Sequence, residues 1–346
     1  MLHSTDPKIL FLQEEDVIKA GALDMRMTLD AVEETYRMFG RGELLNPPKT
    51  HMEMPIGCNG DWASFFNTMP CYLGKDINIG GVKWAAEAKN NSNIPGIPYG
   101  IDITILSDPE TVLPFCILDG TLITAMRTSA VAGVFAKYTA PKGCDSALLV
   151  GAGVIGRTMI MAICEALPGI KKIYLSDLDI SKAEALKKEY EGVYDAEIIP
   201  VTDAKSASKE TKLIVTETTS GKTFIDESWL KPGDTMINMG SYEADKGTVK
   251  SSDVIIVDYW DQVITSPTKA VSLLYKDGEI TEDDVYNLSD VVLGKWQGRT
   301  DDSQIVNCSS LGLGALDIMI GYKVFLKAKE MGIGTEVKLW NKPLWE

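Results

Sequence analysis

The stretch that decides the fold is Ala147-Leu148-Leu149-Val150-Gly151-Ala152-Gly153-Val154-Ile155-Gly156. An apolar run that reads as a strand, Ser146–Val150, enters a Gly-x-Gly-x-x-Gly turn. Residues 154–167, apolar at helical spacing, lead out of it. A second apolar run, Lys172-Ile173-Tyr174-Leu175-Ser176, ends at Asp177, 21 residues beyond Gly156. Strand, glycine turn, helix, strand and acidic residue in this order form a dinucleotide-binding fingerprint. Gly151 permits the tight turn, Gly153 leaves room for a pyrophosphate, and Gly156 lets helix and strand pack closely. The N–H groups of Val154 and Ile155 open the helix and face an anion with a partial positive charge. Asp177 is placed to accept hydrogen bonds from a ribose diol. Its carboxylate repels a 2′-phosphate, and Asp179 follows with no Arg nearby, so the pattern favours NAD over NADP.

Outward from this motif the chain continues as alternating strands and helices. Residues 181–191 read as a helix. The runs 198–201, 213–216, 236–239 and 254–257 read as short buried strands. This alternation predicts a parallel sheet covered on both faces. Thr216, Thr218 and Thr219 follow the fourth strand of the set, where strand ends line a cofactor crevice, although β-branched residues are also ordinary strand formers.

Before the motif the pattern is mixed. Residues 9–12 read as a strand and 14–38 as one helix. Strand-like pieces follow around 50–54, 63–69, 80–84, 100–106 and 112–118, then a helix over 121–138 rich in small residues. One helix among several strands predicts an α+β unit. The expected fold class is therefore α/β: a Rossmann-type doubly wound parallel sheet plus an α+β dimerisation and substrate domain. The expected division is 1–125 with 315–346 for the α+β domain and 126–314 for the nucleotide domain. The closing helix is expected from 313 to 328.

Composition narrows the function. The chain has 346 residues, 45% apolar and 24% charged, with 34 Lys and Arg against 49 Asp and Glu, a net charge of −15. Binding a nucleic acid requires clustered cations, so such a partner is not expected. Two histidines, His3 and His51, do not suggest a zinc site, and no metal is expected. Six cysteines without a Cys-x-x-Cys pair, among them Cys58, and a start from Met1 to Leu12 without an apolar centre read as reduced thiols in a cytoplasmic protein. No run approaches the length of a membrane helix.

Two cations lie in unusual settings. Lys83 stands inside Gly80-Gly81-Val82-Lys83-Trp84, and Arg127 inside Thr124-Ala125-Met126-Arg127-Thr128-Ser129-Ala130. An Arg fork suits a carboxylate, and Lys supplies a point charge that can also move a proton. The ordinary alternative for each is a structural ion pair. Glu87, four residues after Lys83, is placed to meet a distal amine or simply to face solvent. Trp84, Trp260 and Trp296 read as pocket walls or as packing.

Several of these stretches together resemble the ornithine cyclodeaminase/mu-crystallin family. They are Lys83 with Asn93-Ile94-Pro95-Gly96-Ile97-Pro98, Ile117-Leu118-Asp119-Gly120, the segment around Arg127, the glycine run, Gly298-Arg299, Ser310-Leu311-Gly312 and Asp317. The resemblance implies a homodimer built on the N-terminal domain and a nicotinamide dinucleotide on the Rossmann domain. It implies a small amino-acid or imino-acid substrate. By motif, Lys83 and Arg127 hold the substrate carboxylate, and Lys49 stands where the family has a third cation, an Arg. Thr128, next to Arg127, joins the cofactor-contacting positions with Gly151, Gly153, Val154, Ile155, Gly156, Asp177, Thr216 and Thr218. The cyclodeaminases carry an Asp shortly after the fifth nucleotide-domain strand. Here Asn238-Met239-Gly240-Ser241-Tyr242-Glu243-Ala244-Asp245 puts Tyr242 at that place. The resemblance thus implies simple redox chemistry at a CH–NH or C=N group. Lys83, Tyr242 and Glu243 are the candidate proton-handling residues, with Asp245 a further carboxylate. Ornithine or lysine cyclodeamination with NAD recycled in the site is the alternative, and a nucleotide-bound storage protein a third.

Overall fold

The structure is a computed structural model that describes residues 7–54 and 64–345. His3, Cys58 and the first residues of the chain lie outside that range, as does Ala63 at the start of one expected strand. The chain separates into two compact units. The first comprises the described parts of Met1–Asp24, Arg41–Arg127 and Leu313–Glu346; the second comprises Met25–Gly40 and Thr128–Gly312.

The first unit is built on one mixed sheet. Its strands are β1 (Lys8–Leu12), β2 (Leu44–Leu45), β3 (Thr50–Met54), β4 (Ser64–Leu73), β5 (Ile79–Ala88), β6 (Gly100–Ser107) and β7 (Pro114–Asp119). A C-terminal strand, Thr335–Lys338, pairs with β1, and the order runs from it through β1, β7, β6, β5 and β4 to β2, with β3 also on β4. β1 and β7 are parallel, and the other pairings are antiparallel. The helix Gly314–Met331 is buried against β4, β5 and β6. Its approach is close because glycine faces it from both sides. A Cβ at Gly81 would lie 2.6 Å from Ile318, and one at Gly314 would lie 2.7 Å from the Met69 carbonyl oxygen. Asn46 Oδ1 accepts the Ala315 N–H at 3.0 Å and fixes the start of that helix.

The second unit holds β8 (Ser146–Val150), β9 (Lys172–Ser176), β10 (Glu197–Val201), β11 (Leu213–Thr216), β12 (Thr235–Asn238), β13 (Val254–Val257), β14 (Val285–Asn287) and β15 (Val306–Ser309). All pairings are parallel, in the order β10-β9-β8-β11-β12-β15-β13-β14. This is the doubly wound sheet that the alternating pattern predicts. The strands β11, β12 and β15 are buried at every residue, as a sheet covered on both faces requires. The chain direction of assembly reverses between β8 and β11, which is the switch point of such a sheet.

One expectation is corrected. The helix read over 14–38 is two helices, Glu14–Lys19 and Met25–Gly40, because Gly21 takes a left-handed turn at φ +91°. The second of these groups with the nucleotide unit. Its buried side, including Ala31, Val32 and Tyr36, packs on the helices Val154–Ala166 and Leu288–Val292. The two compact units divide at Arg127/Thr128, inside the helix Thr121–Thr139, and at Gly312/Leu313.

Candidate active site

In the second unit, β8 delivers the chain to Gly151, whose φ of +117° only glycine adopts freely. A Cβ on Gly151 would overlap the Glu217 carbonyl oxygen, and one on Gly156 would overlap the Gly151 carbonyl oxygen. The turn therefore closes on itself and on the loop after β11. At Gly153 nothing lies within 4 Å of a Cβ position. Gly153 also caps the helix Val154–Ala166 without a side-chain hydrogen bond, and no acidic residue stands in its first turn. An open glycine before a helix start whose N–H groups lack a side-chain cap fits the pyrophosphate of a dinucleotide.

Asp177 stands at the end of β9, against this turn. Its carboxylate accepts the Ala152 N–H at 2.8 Å and the Asp179 N–H at 2.9 Å. Asp179 in turn caps the helix Ile180–Glu189. The acidic residue is thus held rigidly beside the glycine turn, as ribose binding needs. Thr128 is buried, and its neighbour Ser129 bonds Thr158 Oγ1 at 2.7 Å and the Ile155 carbonyl at 3.2 Å. These bonds tie the start of the glycine-turn helix to the helix Thr121–Thr139.

The loops after β11 and β12 carry the remaining expected residues. Thr216 is fully buried, and its Oγ1 donates to Glu243 at 2.7 Å. Glu243, expected among the catalytic candidates, is fully buried too, and its carboxylate also accepts from the Thr218 N–H, Asn238 Nδ2 and the Gly240 N–H. That carboxylate is engaged by two side chains and two backbone N–H groups. Asp245 is likewise occupied, capping the helix Lys246–Lys250 through Thr248. Tyr242, between them, is 44% exposed. Sequence reasoning missed Lys269, a buried ammonium beneath these loops. It donates to the carbonyl oxygens of Asn238 (3.1 Å), Met239 (2.9 Å) and Gly240. Burial pushes the Glu243 carboxyl up and the Lys269 ammonium down, and their mutual attraction opposes both shifts.

The first unit gathers a second cluster. Strand register puts Lys83 opposite Thr104, and Ala85 opposite Asp102, so Lys83, Glu87, Asp102 and Thr104 share the sheet face that meets the helix Gly314–Met331. Lys83 Nζ lies 3.1 Å from Asp102 Oδ2, 3.1 Å from Asp317 Oδ1 and 2.6 Å from Thr124 Oγ1. Thr124 Oγ1 donates to Asp102, and Arg127 Nε lies 3.4 Å from Asp317 Oδ1. Two cations and two carboxylates thus alternate as Asp102, Lys83, Asp317, Arg127. Both readings of Lys83 and Arg127 meet here, since each cation is ion-paired and both stand together. In the sequence Asp317 stands out only as part of a closing motif, and Asp102 does not stand out. Their contribution follows from register and helix packing, which a linear pattern does not carry.

Glu87 sits on the same face, and burial with the nearby Asp102 raises its carboxyl above the usual range, while Lys83 and Lys49 oppose the shift. Lys49 is half-buried just before β3 and so shares the electrostatic field of Lys83. Trp84, on the other sheet face, is 40% exposed; Trp260 is buried edge-to-face on Tyr275. Arg299 is not at a ligand surface: it donates to the Thr139, Asp234 and Gln304 carbonyls and to Thr235 Oγ1.

Fold and sites together define a two-unit α/β protein with a dinucleotide cradle and a separate, charge-balanced cluster of buried cations. The profile of the ornithine cyclodeaminase/mu-crystallin family matches residues 8–331, and the chain belongs to that family. It is 25% identical to N-((2S)-2-amino-2-carboxyethyl)-L-glutamate dehydrogenase of Staphylococcus aureus, over 96% of this chain and 99% of the relative. It is similar to the structure of Thermococcus litoralis Delta(1)-pyrroline-2-carboxylate reductase in complex with NADH and L-proline. That likeness has a TM-score of 0.87 at 28% identity, covering 95% of this chain and 100% of the other. An archaeal alanine dehydrogenase dimer with bound NAD superposes with a TM-score of 0.84 at 25% identity, covering 96% and 100%.

Proposed function

We propose that the protein is an NAD-dependent oxidoreductase acting on the CH–NH or C=N group of an amino acid or derived imino acid. The observation that carries this reading is the alternating cluster Asp102, Lys83, Asp317, Arg127. Two cations brought together from two different elements suit a carboxylate ligand, and their neutralising acids, from two more, keep the site stable without one. Arg127 retains more exposed side chain, 11%, than Lys83, 2%, which supports Arg127 as the primary carboxylate contact. The glycine turn, the open Gly153 and the anchored Asp177 support NAD as the cofactor.

When bound, NAD supplies the hydride acceptor, and NADH the donor in the reverse direction. This chain's residues do the rest. Arg127 and Lys83 hold the carboxylate and so aim the neighbouring carbon and its hydrogen. The nitrogen loses a proton as the C=N bond forms, and Lys83 is the first candidate to take it, handing one of its own ammonium protons to Thr124. Its bonds to Thr124 and on to Asp102 give a route for that proton within the first unit. Tyr242, exposed on the loop after β12, is a second candidate for proton handling. The cyclodeaminases carry an Asp at this loop; Tyr242 in its place, with Glu243 and Asp245 already hydrogen-bonded, supports redox chemistry over cyclodeamination.

We also infer a homodimer in the cytoplasm. The sheet face opposite Lys83 exposes Met52, Trp84, Ile101 and Ile103, each at 40% or more, an apolar patch suited to a second copy. Among the described residues all five cysteines are free thiols, which supports a reducing compartment.

The test is incubation with NAD and a panel of L-amino acids, and with NADH and cyclic or open-chain imino acids, following absorbance at 340 nm together with ammonia release. A net change in NADH with one substrate class supports the reading. Ammonia from ornithine or lysine without net NADH, or silence in both channels, overturns it.

A further inference from the structure

The strands β11 and β12 end at Thr216 and Asn238, and beyond Glu217 and Met239, whose N–H groups still donate to the Val150 and Thr216 carbonyls, the parallel ladder no longer satisfies the backbone. One carboxylate and one ammonium take over that task. Glu243 binds Thr216 Oγ1 (2.7 Å) and the Thr218 N–H on one loop, and Asn238 Nδ2 (2.7 Å) and the Gly240 N–H (3.0 Å) on the other. Lys269 gathers the Asn238, Met239 and Gly240 carbonyls and lies 3.3 Å from Asn238 Oδ1. A Cβ at Gly240 would overlap the Glu243 carboxylate, so the loop and the acid are fitted to each other. Neither Glu243 nor Lys269 has appreciable exposure.

Stability alone does not account for this arrangement. Taking both charges out of water is costly, and apolar residues of similar volume would hold the strands at least as well. What apolar residues cannot do is bind the N–H and C=O groups of two loops at once. These are the loops of the second half of a doubly wound sheet, next to the switch point, whereas the glycine turn and Asp177 belong to the first half. In such sheets each half takes one mononucleotide of a dinucleotide.

We infer that the Glu243–Lys269 pair is a positioning element that fixes the loops after β11 and β12 in the shape that receives the nicotinamide half of the cofactor. The inference rests on the reading that this unit binds NAD. Neither residue touches the ligand; both act through Thr218, Gly240 and the exposed Tyr242 carried between Gly240 and Glu243.

The test compares two ligands on the full-length protein. NADH, followed by its fluorescence, uses both halves of the site; ADP, followed by calorimetry, uses only the adenosine half. Glu243→Gln is expected to raise the Kd for NADH about tenfold and to leave the Kd for ADP within twofold. Lys269→Arg keeps the charge and a donor group but cannot converge on three carbonyls. It is expected to show the same selective loss, several-fold, and keeps the test decisive should the first variant not fold. Equal losses for NADH and ADP, or no loss in either, would overturn the assignment, since a merely structural role moves both affinities together. A wild-type protein that binds neither ligand would instead overturn the NAD reading itself.

Discussion

Asp317 Oδ1 is shared by Lys83 and Arg127, with Lys83 Nζ at 3.1 Å and Arg127 Nε at 3.4 Å. Asp317 is fully buried on the closing helix, while Lys83 lies in β5 and Arg127 at the unit boundary of the helix Thr121–Thr139. One carboxylate thereby sets the spacing of two groups from distant parts of the chain. Its replacement takes one carboxylate away from a buried ammonium and a nearly buried guanidinium.

Breaking such a buried arrangement from one side costs about 3–5 kcal/mol. Asp317→Asn is therefore expected to lower unfolding stability by about that amount at pH 7, measured by urea titration. A change below about 1 kcal/mol would show that the cluster is solvated and the pairing of little consequence.

The glycine turn makes a contrast between two neighbours. Gly153→Ala meets nothing in the protein, so thermal stability should be unchanged while NADH affinity falls about tenfold or more through crowding of the pyrophosphate. Gly156→Ala drives a methyl into the Gly151 carbonyl and should lower both. Thermal unfolding and NADH fluorescence on the same samples check the pair. Undiminished binding by Gly153→Ala would remove the pyrophosphate from this turn.

These two sites differ in how far they could be read from the sequence. The glycine turn and Asp177 are legible because the fingerprint is local: strand, turn, helix and strand follow one another, and each glycine has a separate steric reason. Lys83 and Arg127 stand out only as cations among apolar or small residues. That they share Asp317 depends on β4–β5–β6 register and on a helix that approaches through Gly81 and Gly314, which no periodicity announces. β15 is hidden for a related reason. It inserts between β12 and β13, out of chain order, so the sheet cannot be laid out by reading strands in sequence. Glu243 was noticed as a carboxylate near the right place. Its burial and its link to Lys269 are tertiary facts. The helix Met25–Gly40 shows the same limit, since its amphipathic pattern states that one face is buried but not against which unit.

Glu33 gives a pH signature to the nucleotide unit. Burial pushes its carboxyl up, but hydrogen bonds from Lys137 and Tyr138 and the charges of Lys137 and Arg37 outweigh that and leave it below the usual value. A depressed carboxylate stabilises the fold above its unfolded pKa of about 4.3, and that contribution is lost as pH falls through the folded value. Glu33→Gln should therefore be less stable than wild type at pH 7 and converge with it in acid. A stability gap that persists unchanged to pH 3 would contradict the ion-pair account.

The apolar sheet face offers a check on assembly. Ile103→Lys puts a charge at its centre, on the side of β6 away from Asp102 and Thr104. Sedimentation equilibrium should show a dimer for wild type and a monomer for the variant, with the fold retained by circular dichroism. A wild-type monomer would contradict the proposed use of this face.

In the proposed reaction a hydride leaves the carbon bearing nitrogen and arrives on the cofactor. The most direct measurement is isotopic. The amino acid that registers in the absorbance screen is supplied with deuterium at its α-carbon, with NAD in excess, and the NADH formed is analysed by mass spectrometry. The account predicts NADH carrying one deuterium, one mass unit heavier than from unlabelled substrate. Unlabelled NADH, or ammonia release with no accumulated NADH, would contradict it.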